Sequence, residues 1–170
     1  MKRQVKILCS RHYDSLSQII YYITGRKYTH VSISLDSDQG VFYSFNGKGF
    51  KIEKPHRWRK KDKRIMGDMF HLEIEHDEYV RLMNYINYML EEKAKYKYNL
   101  IGVFMRALNI PHYTKERYFC SQFVAEALIH AGIINQTKPP FYYFPNNIAD
   151  VLRENRKTKK IAGLVYKGGR

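Results

Sequence analysis

Apolar and polar positions alternate along some stretches of the chain and recur at helical spacing along others, and each rhythm predicts an element. Residues 5–9 form a short, mostly apolar run that reads as a strand. Behind a candidate cap at Asp14 or Ser15, Leu16, Ile19, Ile20 and Ile23 follow helical spacing, and Gly25 closes that helix. Residues 28–35 alternate clearly, with Val31, Ile33 and Leu35 to one side and His30, Ser32 and Ser34 to the other. The turn-forming stretch 36–40 leads into a second strand at 41–45, so the two read as a hairpin. Gly47 and Gly49 break it, a short edge strand is expected at 50–53, and residues 69–75 alternate again.

Helical spacing then takes over. Asp77 caps an amphipathic helix reaching about residue 93, with Val80, Met83, Ile86 and Leu90 on one face. Residues 99–108 read as a second helix, ended by Asn109-Ile110-Pro111. A third starts near Cys120 and runs to His130, where Gly132 stops it, and a short last helix follows the Pro139-Pro140 break at 146–153. Strands dominate the first half and helices the second, with no internal repeat. That order predicts an α+β domain, an antiparallel sheet packed against helices, and the 170 residues suit a single domain spanning 1–170.

Charge adds a second layer. The chain carries a net charge of +14, concentrated in residues 51–64, which include Trp58, and again in 153–170. Such patches attract anionic surfaces, whether nucleic acid, lipid headgroups or acidic polymers, or simply keep a tyrosine-rich protein in solution. No apolar run is long enough to span a membrane, and the basic N-terminus lacks the apolar stretch and cleavage site of a signal peptide. Two cysteines, Cys9 and Cys120, imply no disulfide framework, so a cytoplasmic protein is expected. Histidines and cysteines never cluster at metal-ligand spacing, and no phosphate-binding glycine loop occurs. Neither a metal nor another cofactor is expected.

Candidate chemistry centres on Phe119-Cys120-Ser121-Gln122-Phe123-Val124, where Phe123, Val124, Ala127, Leu128 and Ala131 mark a core helix. Cys120 falls in its first turn, where unpaired N–H groups and the helix dipole favour thiolate over thiol. A nucleophilic thiolate needs a proton-shuttling partner, usually histidine, and His30 stands out on the polar side of a well-patterned strand. Local sequence alone leaves the bland alternatives open: a buried structural thiol and a histidine bonded to backbone. Cys9, between apolar residues, reads as packing.

Three segments together resemble the permuted branch of the NlpC-type papain-like superfamily, the YiiX/YebB-like proteins related to lecithin retinol acyltransferase. Residues 27–35 (KYTHVSISL), led into by 17–25, are similar to that branch's histidine strand; 41–49 (VFYSFNGKG) to its paired strand; and 118–124 (YFCSQFV), preceded by 98–102, to its nucleophile helix. The order, histidine strand before cysteine helix, is that of the permuted branch. The resemblance implies a circularly permuted papain-like fold with Cys120 as nucleophile at a helix N-terminus and His30 as its base. The third, orienting residue of the branch falls at Ser44, a weaker orienter than a carboxylate, with Asn46 or His71 as substitutes.

The implied reaction is cleavage of an amide or ester through a thioester, in the manner of an amidase or peptidase. The runner-up is a lipid-directed acyltransferase or lipase of the same fold. A catalytically idle basic module that binds nucleic acid or anionic membrane is the alternative outside the enzyme class. The partners expected are accordingly a small-molecule, peptide or lipid substrate carrying an acyl group, and an anionic surface for the basic patches.

Overall fold

The computed structural model describes residues 1–12, 21, 25–35, 40–55, 65–108, 110 and 112–166. It is an α+β arrangement in which a six-stranded antiparallel sheet packs against helices. The strands are β1 (Arg3–Arg11), β2 (His30–Leu35), β3 (Phe42–Asn46), β4 (Gly49–Glu53), β5 (Ile65–Ile74) and β8 (Thr158–Tyr166), in spatial order β4-β3-β2-β1-β5-β8. β1 lies inside the sheet and pairs with β2 on one side (Cys9 opposite Val31, Ser10 opposite His30) and with β5 on the other (Val5 opposite Leu72). Two further strands, β6 (Lys97–Tyr98) and β7 (Arg117–Tyr118), form a short parallel ribbon of their own.

Four helices are described: α1 (His76–Glu91), α2 (Leu100–Ala107), α3 (Cys120–His130) and α4 (Pro145–Glu154). The core lies between α1, α3 and α4 and one sheet face, where Val5, Ile7, Val31, Ile33, Phe70 and Leu72 meet Phe123, Val124, Leu128 and Ile148. Phe123 is the keystone. Its ring centroid lies 5.6 Å from Phe45 and 5.3 Å from Phe50, so α3 is seated directly on the β3–β4 hairpin. The other face is also covered, since Ser32, Ser34 and Ser44 are buried beside a small cluster of Leu8, Phe42 and Met69.

Several expectations need adjustment. The face of α1 is rotated from the predicted one: Tyr79, Leu82, Ile86 and Met89 are buried, with Met83 and Leu90 packed at the margin. Its cap is Glu75, whose N–H donates to Glu78 Oε2 (2.9 Å), rather than Asp77. β5 begins earlier than the alternation suggested, because Gly67 and a register shift before Met69 interrupt the pattern. A Cβ at Gly67 would lie 2.8 Å from the Cys9 carbonyl, so the close approach of β1 needs glycine there. β8 was unforeseen; charged residues masked a strand that pairs along β5. The predicted helix at 14–23, the turn at 36–39 and most of the basic loop, Trp58 included, lie outside the described residues. Gly25 itself, at φ +61°, donates to the Tyr21 carbonyl (2.7 Å), as a helix-ending glycine does.

Candidate active site

The segment leading into β2 is tied down on three sides. Thr29 N–H donates to the Ser10 carbonyl (3.0 Å) on β1, and Tyr28 N–H donates to Asn146 Oδ1 (2.9 Å) on α4. The Tyr28 hydroxyl donates to the Asp68 carboxylate on β5, which also receives Lys27 Nζ at 3.0 Å and lies 4.0 Å from Arg153. A buried carboxylate without such partners would cost several kcal/mol. With them, Asp68 becomes an anchor that fixes the backbone just before His30.

Cys120 is the first residue of α3. The preceding Phe119 is extended (φ −115°, ψ 164°), its carbonyl accepts from Phe123 N–H (3.1 Å), and no side chain caps the helix. The N–H groups of the first turn are therefore left without a side-chain cap at the end of the helix that carries Cys120. The helix start is held from below, where Ser121 Oγ donates to the Tyr143 carbonyl (2.6 Å). It is held from behind by the β6–β7 ribbon, where Asn99 N–H donates to the Tyr118 carbonyl (2.8 Å).

These supports bring His30 and Cys120 close enough for the thiol to bear on the imidazole's protonation. On its other side, His30 Nε2 donates to Glu53 Oε2 at 2.9 Å, with both side chains only 8 % exposed. Burial alone pushes the His30 imidazole down. The charge of Glu53, with hydrogen bonds to Cys120 and Glu53, outweighs that and holds its pKa well above the usual histidine value. A second imidazole flanks it: the His12 ring lies 4.5 Å from that of His30, with its Nε2 3.1 Å from Ser10 Oγ.

The other candidates are engaged elsewhere. Ser44 Oγ donates to the Val31 carbonyl (2.7 Å), stitching β3 to β2. Asn46 Oδ1 accepts from Lys48 N–H (3.0 Å) in the β3–β4 turn. His71 lies between Lys6 and Lys159 in the register of β5, and its pKa is lowered by partial burial and then by their charges. Cys9 Sγ donates to the Pro145 carbonyl, and its thiol is pushed far up by burial and then by the charge of Asp68, which makes it unreactive. The residue that meets His30 is Glu53, which the sequence reading passed over. One signal pointed to it: an acid within an otherwise basic stretch, at the end of a predicted edge strand.

Among the described residues no helix is long and apolar enough to cross a membrane, and no three His, Cys, Asp or Glu side chains form a group that could hold a metal ion. No protein-family profile matches the chain, and no curated protein matches it in sequence.

Proposed function

We propose that the protein is a thiol-dependent acyl-transfer enzyme of the permuted papain-like kind, most simply an amidase or peptidase. The observation that carries this reading is the grouping of Glu53, His30 and Cys120: a buried carboxylate bonded to an imidazole whose pKa is raised by that carboxylate and by a thiol at an uncapped helix N-terminus. Each part has a chemical task. Cys120 attacks the carbonyl carbon of an amide or ester, and the first-turn N–H groups of α3 receive the oxyanion. His30, charged after taking the thiol proton, passes it to the departing amine or alcohol. Glu53 holds the ring in place and stabilises its charged form. Water then attacks the thioester carbonyl, and His30 takes the proton of that water as the Cys120 sulfur departs. Both cysteines are free thiols, in keeping with work in a reducing compartment such as the cytoplasm.

The test is capture of the intermediate. Incubation with an activated acyl ester is expected to add one acyl mass to the intact protein, located on Cys120 by peptide mapping and released by hydroxylamine. The Cys120→Ser variant, with its poorer leaving group, is expected to retain any adduct as a slowly cleaved ester. Acylation that maps to lysines or to Cys9 while Cys120 stays unmodified would refute the reading and leave the protein a binding module.

A further inference from the structure

Helix α2 is turned inside out. A helix on a globular surface normally buries its apolar stripe. Here Leu100, Ile101, Phe104 and Met105 occupy one side of the helix at helical spacing, continued by Leu108 just past its end, yet Ile101 is 61 % and Leu108 63 % exposed. The buried side is marked by Gly102, whose N–H is capped by Asn99 Oδ1 (2.9 Å). The chain beyond continues the exposed surface with Ile110 (43 %) and Tyr113 (63 %). A cluster of this size on a soluble protein marks a contact site.

The surroundings state what the contact is. Lys93, Lys97, Lys115 and Arg117, which flank the helix in the chain, are exposed, and the only acid between residues 93 and 117 is Glu116. Lysine and arginine around a projecting Leu/Ile/Tyr surface match an anionic bilayer: the apolar side chains enter the acyl boundary while the cations meet headgroup phosphates. A second copy of a chain carrying +14 would bring like charge against like charge. Nucleic acid is bound chiefly through phosphate contacts and aromatic stacking, so a projecting surface rich in Leu and Ile suits it less well than it suits a bilayer.

We propose that α2, with the residues that follow it, is a docking surface for anionic lipid bilayers. The β6–β7 ribbon gives this surface a definite place. Tyr98 and Tyr118 are parallel ladder partners, and each strand runs within two residues into a helix, α2 from one and α3 from the other. The two helices therefore leave the ribbon from neighbouring strands. The docking surface stands whether or not Cys120 turns over a substrate, and its test involves no catalysis.

Sedimentation with vesicles decides the matter. The wild-type chain is expected to bind vesicles of equal parts phosphatidylglycerol and phosphatidylcholine and to leave pure phosphatidylcholine vesicles in the supernatant. The double variant Ile101→Glu/Leu108→Glu is expected to lose anionic-vesicle affinity by at least about tenfold with an unchanged melting temperature, as its positions are exposed. Ile101→Ser/Leu108→Ser, which leaves the charge unaltered, is expected to show a similar loss. No binding to anionic vesicles, full binding by both double variants, or a wild-type dimer that the same substitutions dissociate would each overturn the proposal. Displacement from vesicles by a short oligonucleotide that binds wild type but not the double variants would assign the surface to nucleic acid instead.

Discussion

Cys120 in the folded protein is expected to react with iodoacetamide at neutral pH more than about tenfold faster than the same thiol in the unfolded chain, and His30→Ala is expected to remove most of that advantage. The reasoning starts from position. Cys120 sits at an uncapped helix N-terminus, near an imidazole whose pKa Glu53 and the thiol itself hold well above the usual histidine value. A thiolate beside an imidazolium is the reactive form; a thiol without it is slow. Cys9 supplies the internal control, since it is fully buried and its thiol is pushed up by burial. Peptide mapping should therefore find label on Cys120 alone while the fold is intact. On any substrate, Cys120→Ala should abolish turnover and His30→Ala should cost roughly 10²- to 10⁴-fold, the usual contribution of a general base. Equal labelling of Cys120 in wild type and His30→Ala would remove the chemical basis of the proposed mechanism.

Glu53→Gln is expected to slow turnover by roughly 10- to 100-fold, whereas Ser44→Ala should leave it within about twofold. The carboxylate contacts the ring and carries the charge that favours imidazolium; an amide keeps the size but loses the charge. A 100-fold loss corresponds to about 2.7 kcal/mol of transition-state stabilisation. Ser44 instead satisfies the Val31 carbonyl, so its loss belongs to stability, at about 1 kcal/mol in a urea titration. The pair of variants separates positioning from folding: Glu53→Gln should change kcat with little change in melting temperature, and Ser44→Ala the reverse. A kinetic defect in Ser44→Ala alongside a normal Glu53→Gln would give the orienting role back to Ser44.

Much of this arrangement was legible in the chain, for physical reasons that differ by element. The β1, β2 and β3 strands and the α3 and α4 helices follow from periodicity because each has one face in the core. Cys120 could be placed at a helix start because the apolar spacing of Phe123, Val124 and Ala127 fixes where α3 begins. His30 could be placed on a strand, but nothing local distinguishes a catalytic imidazole from a structural one. Its meeting with Glu53, 23 residues away on another strand, is decided by the sheet order, which periodicity does not encode. β8 escaped notice because its first residues are charged, and β6 and β7 because two residues carry no rhythm. The exposed stripe of α2 reads in sequence like any core helix; only the packed structure shows that it faces outward.

The most direct measurement of the central claim, that His30 is held as an imidazolium between Glu53 and Cys120, is the NMR titration of the His30 ring. In the wild type the ring should stay protonated to a pH well above the ordinary histidine value of about 6.5. Glu53→Gln and Cys120→Ala should each bring the transition to lower pH, because each removes a partner that favours the charged form while burial continues to oppose it. A His30 ring that titrates near 6.5 in the wild type, and that neither substitution moves, would contradict the account.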